Sequence, residues 1–184
     1  MQLFYTTSKN DGTGPDSPSF SLGGYVSSLQ VVNADLNNLF GELSLYGEMK
    51  ATTEYRAIVL KNESDSPAVN VVLELGFSEN NVCSFSIAPV AMTLDSEQRY
   101  VMESIPTIYS KPFVGEFIGA GDQISIGDVA PGVCVGIWFR REVDKIKVKN
   151  EYDNIATPLP EKPYWYEPVQ KADHEIVDFT VTWE

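Results

Sequence analysis

Histidine is almost missing from this 184-residue chain: there is one, His174, between Asp173 and Glu175. Hydrolysis by a nucleophilic triad needs an imidazole held beside both a nucleophile and an acid. Nothing around His174 signals such partners, so histidine-based catalysis is excluded and the residue reads as a solvated loop position. Cysteine is scarce too. Cys83 and Cys134 lie far apart on different expected strands, too few for a disulfide scaffold and wrongly spaced for zinc. Both read as small core or interface residues; whether they meet in a bridge is not encoded in their spacing. Basic charge is the third shortage, with 13 Lys and Arg against 26 Asp and Glu and a net charge of −13. Such a surface repels phosphate backbones, which excludes nucleic acid as the main partner. Long apolar runs are the fourth. No stretch of about 18 apolar residues occurs and the N-terminus has no basic start before an apolar run, so neither a signal peptide nor a membrane span is expected.

Other chemistry is missing for want of pattern. With 26 acids present, none are picked out as the spaced carboxylate pair of a glycosidase. The stretch Asn10, Asp11, Gly12, Thr13, Gly14 and Asp16 places oxygen ligands on glycine turns, but it lacks the alternating acids and final glutamate of a calcium loop and reads as a plain turn. The glycines of GAGD at 119–122 precede no helix and no lysine, so no phosphate cradle is present. The chain calls for no cofactor and no metal.

What is there is strand pattern. At 43% hydrophobic and 21% charged the composition is that of an ordinary globular domain. Residues 1–32, rich in Ser, Gly, Pro and Asp, read as an extended arm. Asn33 caps a short helical turn in which Leu36, Leu39 and Phe40 share a face before Gly41 stops it, making residues 1–45 an arm plus turn. Strands begin at Glu54. YRAIVLKN is a compact β-branched and aromatic run closed by NESDSPA. In VNVVLELGF, Val69, Val71, Leu73, Leu75 and Phe77 share one face. These two runs form either a hairpin or a crossing between two sheets. CSFSIAPV, RYVMES, QISIGDV and GVCVGIWFRREV follow. The last two, joined at Pro131-Gly132, read as an edge hairpin in which Val133, Val135, Ile137 and Phe139 are core. Trp138 then faces the other way, under an arm or a neighbouring subunit. Residues 144–173 break the rhythm with Pro158, Pro160, Pro163 and Pro168, a density that forbids ladder hydrogen bonds. EIVDFTVTWE closes the sheet with Val177, Phe179, Val181 and Trp183 inward. The expected fold is thus all-β: an antiparallel sandwich from residues 46–143 and 174–184, with an N-terminal arm and a Pro-rich insertion over 144–173.

The aromatic cluster Tyr164, Trp165 and Tyr166, between Pro163 and Pro168, is the leading candidate surface. Rings on a stiff proline segment suit a protein interface, and they also suit stacking on sugar rings. Lys145, Lys147 and Lys149 put three cations on one strand face and suit an acidic neighbour, a second copy of this chain included.

SLGGYVSS at 21–28, NNLF at 37–40, EYRAIVLKN at 54–62 and IGDVAPGVCVGIWFRREV at 126–143, in that order, resemble a family of small Ig-like structural proteins of tailed bacteriophage virions. The resemblance covers about residues 1–143; residues 144–172 are longer and richer in proline than is usual there. It implies an Ig-like sandwich with a structural, non-enzymatic role in a virion assembled in the host cytoplasm, as a capsid decoration, neck or tail accessory protein. It brings no catalytic residues. On this reading Phe4, Tyr5, Phe20, Leu22, Trp138, Tyr164, Trp165 and Tyr166 meet neighbouring virion proteins or copies of this chain. The alternative expectation is a carbohydrate-binding or adhesin module using Tyr164, Trp165 and Tyr166.

Overall fold

The computed structural model describes residues 1–15, 17–31, 39–40, 53–77, 83–119, 121–143 and 177–184. Eleven strands run through the described residues: β1 (Gln2–Thr7), β2 (Gly23–Gln30), β3 (Thr53–Lys61), β4 (Ala68–Phe77), β5 (Cys83–Ala91), β6 (Thr93–Leu94), β7 (Tyr100–Ser104), β8 (Ile118–Gly119), β9 (Gln123–Val129), β10 (Cys134–Val143) and β11 (Val177–Thr182). The only helical turn among these residues is a short 3-10 turn over Pro18–Phe20. An eight-stranded sheet in the order β6-β7-β2-β1-β3-β10-β5-β8 faces a three-stranded one in the order β11-β4-β9, and every pairing is antiparallel. The all-β sandwich expected from the strand pattern is therefore present.

Between the sheets, alternate residues of each strand interdigitate. Ile58 and Leu60 of β3, Ile137 and Phe139 of β10 and Ile87 of β5 meet Val71, Leu73 and Leu75 of β4 and Ile124 of β9. On β4 the period-2 pattern holds for Val71, Leu73 and Leu75 but fails at Val69, which is exposed. Asn70 sits at φ 54°, and the pairing of β4 with β9 slips there. A one-residue bulge reverses face parity, which turns Val69 outward and Ala68 inward. Past the same bulge, Trp183 is 49% exposed rather than inward, while Val181 packs on the core as expected. The side chains of Phe77, Val177 and Phe179 lie outside the described set. Of the expected turn over 33–41 only Leu39 and Phe40 are described, and both are fully buried in this core.

Three expectations need correction. First, residues 1–32 are not an arm. β1 pairs with β3 and with β2, and β2 pairs with β7, so both N-terminal strands belong to the large sheet. Glycine and serine density suggested an irregular segment, but only Gly12 and Gly14 lie between the strands, while Gly23 and Gly24 open β2 itself and pair with β7. Phe4 is buried beside Val59 and Cys134, Leu3 and Tyr5 pack on the sandwich core, and Leu22 packs under the opposite face. Second, Pro131-Gly132 does not close an edge hairpin. β9 lies in the small sheet, whereas β10 lies between β3 and β5 inside the large one. The runs before and after NESDSPA likewise sit in different sheets, which realises the crossing rather than the hairpin. Third, Trp138 faces away from the Ile137 and Phe139 core as expected, but its own chain buries it fully, Leu22 of the N-terminal segment included, so the cover is not a neighbouring subunit.

Asn62 fastens the two crossings together. Its side-chain amide donates to the carbonyls of Ser66 and Val129, each at 2.9 Å, and its side-chain oxygen accepts from Ser64 N at 3.1 Å and Ser64 Oγ at 2.7 Å. Its backbone bonds Val133 and Gly132 across the turn. One buried side chain thus satisfies the backbone of both loops at this corner, which an apolar residue there would leave unpaired.

The large sheet is buried on both faces at its centre, so β3 has seven consecutive buried residues from Glu54 to Leu60. The face turned away from the small sheet carries Tyr55, Ala57 and Trp138. Met102 and Ile105 cover it, with Leu22, Val90, Val114 and Phe117 packed around them. Met102 lies on β7, separated from β10 in the sheet by β2, β1 and β3, yet a Cβ placed on Gly136 of β10 would stand 3.0 Å from its Sδ. The sheet therefore rolls until β7 lies over β10.

A buried polar plug fills the gap where β1 leaves β3. Ser21 Oγ donates to Ala57 O at 2.5 Å and accepts from Thr6 N at 2.7 Å, and Thr6 Oγ1 accepts from Gly23 N at 2.9 Å. Beyond the plug, Ala57 N donates to Ser21 O and Tyr55 N to Ile108 O, so the 17–22 and 105–117 segments run side by side across β3.

Candidate functional site

The sequence-derived partner residues scatter. Phe4 and Trp138 are interior, Tyr5 and Leu22 are half-buried within the fold, and Tyr164, Trp165 and Tyr166 lie outside the described residues, as do His174, Lys145, Lys147 and Lys149. Phe20 alone among the described ones presents its ring to solvent, at 64% exposure. Two rings that sequence reading passed over join it, Tyr109 at 60% and Phe113 at 95%. All three stand on the paired segments over the rolled face: Phe20 directly precedes Ser21, and Tyr109 directly follows Ile108. Phe113 is held by its backbone N–H on the Glu103 carboxylate at 2.6 Å, next to the β2 and β7 pairing. Their backbones are fixed while their rings stay in water, the usual arrangement of interface anchors. The signal in the sequence was present but weak, because IPTIYSKPF has no strand or helix period.

On the face of the large sheet turned toward the small one, beside Phe40 of the sandwich core, Glu54, Arg56 and Arg141 form a buried charged group. Arg141 Nη2 lies 2.5 Å from Glu54 Oε2, Arg56 Nη2 lies 3.9 Å from the same oxygen, and the Arg141 and Arg56 guanidinium groups lie over the Phe40 ring at 4.9 and 5.3 Å. Burial lowers the Arg56 pKa to about 10, against the raising effect of Glu54. Arg56 therefore stays cationic at neutral pH. All three residues are buried, and the Arg141–Glu54 pair ties β10 to β3.

A cleft of about 280 Å³ opens at the far end of the outer face, the one that bears Trp138. The Asn10–Gly12 turn, the Gln98–Tyr100 hairpin arm and Lys61 wall it, and Val26 and Cys134 lie at its base. The two walls are tied together: Arg99 Nη1 donates to Asn10 O at 3.2 Å, and the guanidinium lies 5.2 Å over the Tyr25 ring. Arg99 also donates to Asp95 from Nε at 2.9 Å and Nη2 at 2.7 Å, and pairs with Glu97 at 2.8 Å. Hydrogen bonds from the backbone and side chain of Arg99 hold the Asp95 carboxyl below its ordinary pKa, and the Asp95 bond raises that of Arg99. Lys61 is paired with Glu63 at 2.9 Å and lies over Phe4 at 5.6 Å. Asp11 accepts from Thr13 N at 2.9 Å and Thr13 Oγ1 at 2.7 Å, bonds that lower its pKa. That carboxylate organises its own turn, in keeping with the plain-turn reading of Asn10–Gly14.

The cysteines occupy opposite ends of β10. Cys83 is opposite Val143 and Cys134 begins the strand, which puts them about 30 Å apart at roughly 3.3 Å per residue, so no bridge joins them. Burial raises the Cys134 thiol to about 11, so it stays protonated at the base of the cleft. Among the described residues no group of three or more His, Cys, Asp or Glu is arranged to hold a metal, and no helix is long and apolar enough to cross a membrane.

Comparison of the chain with protein-family models, with curated proteins and with solved structures finds no match.

Proposed function

We propose that this protein is a non-catalytic structural subunit of a tailed-phage virion, an Ig-like sandwich that packs on neighbouring virion proteins. The observation that carries the reading is the exposure of Phe20, Tyr109 and Phe113 on two segments clamped side by side across β3. Three large rings standing in water cost solubility unless a partner covers them. A second support is that the resembling motifs do structural work in one frame. Ser21 plugs the gap beside β3, Gly23 and Gly24 let β2 approach its neighbours, Asn62 staples the crossings, and Arg141 pins β10. Contact through a free N-terminal arm gives way to contact through a rigid surface, so assembly carries no large ordering cost for residues 1–30.

Two measurements test the proposal. Mass spectrometry of purified particles is expected to find the chain in fixed stoichiometry with the shell or tail proteins, and its absence from particles would overturn the reading. The triple variant Phe20→Ser, Tyr109→Ser, Phe113→Ser is expected to unfold within about 1 kcal/mol of the parent, because the rings are exposed, yet to lose most of its incorporation. Incorporation at the parental level would rule this surface out as the contact.

A further inference from the structure

We infer that the cleft between Asn10–Gly12 and Gln98–Tyr100 is a binding site for the ring of a neutral saccharide. This goes beyond the structural role above, and neither depends on the other.

Charge decides the ligand class. Each of the three ionic side chains in the lining is already matched. Arg99 is engaged by Asp95 and Glu97 and by the Asn10 carbonyl, Lys61 by Glu63, and Asp11 by the two Thr13 donors. An anion entering here meets cations whose fields are cancelled locally, and on a chain of net charge −13 it is repelled at longer range. A cation would meet Arg99 and Lys61 in the lining, and the one carboxylate there, Asp11, already accepts from Thr13 N and Thr13 Oγ1. A wholly apolar ligand would strip water from the amides of Asn10 and Gln98 without replacing its hydrogen bonds.

A sugar ring fits what remains. The lining offers two side-chain amides, Asn10 and Gln98, each both donor and acceptor, and two phenols, Tyr25 and Tyr100. Paired hydroxyls on a pyranose edge suit such planar groups. Val26 and the protonated Cys134 supply an apolar base for the C–H face of the ring. The volume of about 280 Å³ is at the lower limit of small-molecule sites, which run from about 300 Å³, and accommodates a single ring with its chain continuing into solvent. The walls are set before the ligand arrives. Arg99 bridges them, Tyr100 is anchored against the cluster of Phe4, Val59 and Cys134, and Gln98 is fixed at φ 62° in the Asp95–Arg99 turn. A preformed cleft spares the ordering cost that weak ligands cannot offset.

The test is protein-observed NMR on the full chain, titrated separately with glucose, galactose, mannose, N-acetylglucosamine, glucuronate and inorganic phosphate. At least one neutral sugar is expected to shift amides of residues 10–12, 25–26, 98–100 and 132–134 with saturation in the millimolar range, of order 1 mM. The double variant Asn10→Ala, Gln98→Gly removes both amides, and glycine keeps the left-handed backbone at 98. It is expected to keep the parental spectrum elsewhere and to bind at least about tenfold more weakly. Three results would overturn the inference: no saturable shift with any neutral sugar, tighter binding of glucuronate or phosphate than of every neutral sugar, or undiminished affinity in a folded double variant. If the double variant is unfolded, Asn10→Ala alone, on an exposed side chain, is read by the same criterion.

Discussion

Trp138→Ala is expected to lower the unfolding free energy by about 3–5 kcal/mol, measured by urea denaturation. The indole is fully buried between Tyr55, Ala57 and Met102, and removing it leaves a void that β7 would have to collapse into. One effect opposes this cost. Among the described residues Trp138 Nε1 has no hydrogen-bond partner, so the native state carries an unsatisfied donor worth about 1–3 kcal/mol. Truncation to alanine relieves that penalty but loses the whole ring, and the cavity outweighs the relief. Trp138→Phe separates the two, since it keeps most of the ring and deletes the orphan N–H. It is expected to fall within about 1.5 kcal/mol of the parent. A loss under about 1 kcal/mol for alanine would mean that the face of β10 bearing Trp138 is not closed as described.

Gly23→Ala is the second large effect, expected at about 3–5 kcal/mol. The backbone there has φ +87°, and a Cβ would stand 1.8 Å from the Glu103 carbonyl oxygen and 2.9 Å from its carbon. Those atoms belong to the neighbouring strand, so relief requires β2 and β7 to separate where Gly23 pairs with Ser104. Left-handed strain adds about 1–2 kcal/mol to that separation. Gly24 repeats the situation against β1, at φ +96° with a Cβ 2.4 Å from Thr7 O. Gly115 is the control: a Cβ there meets nothing within 4 Å and the backbone is not left-handed, so Gly115→Ala is expected to be neutral or stabilising by up to about 1 kcal/mol. Similar losses at Gly23 and Gly115 would contradict the close approach of β2 to β7.

Local strand pattern was legible in the sequence where burial alternates, and failed where it does not. Cys83, Phe85 and Ile87 of β5 and Val71, Leu73 and Leu75 of β4 were assigned to the core by period alone and are there. β10 was placed correctly as a strand but wrongly at an edge. Pro131-Gly132 is as good a hairpin turn as a crossing, and the choice depends on what covers Cys134, Gly136 and Trp138 on the second face. That even-numbered face carried the missed signal, since it holds no charge until Arg140. The N-terminal segment failed for a related reason. Gly23 and Gly24 resemble loop residues by composition, and only the approach of Glu103 and Thr7 shows that the strands require them. The cleft was illegible because its residues come from positions between 10 and 134 and meet only after the sheet rolls. The aromatic trio was missed because exposure, not pattern, singles it out.

Closure of the rolled face by the N-terminal strands is what fixes both the aromatic surface and the cleft, and hydrogen exchange on the isolated protein tests it most directly. Amides that β1 and β2 donate within the sheet are expected to exchange as slowly as those of β10, because the pairings of β1 with β3 and of β2 with β7 form part of one cooperative sheet. Rapid exchange throughout residues 2–7 and 23–30, with β10 still protected, would contradict it and return those residues to a free arm.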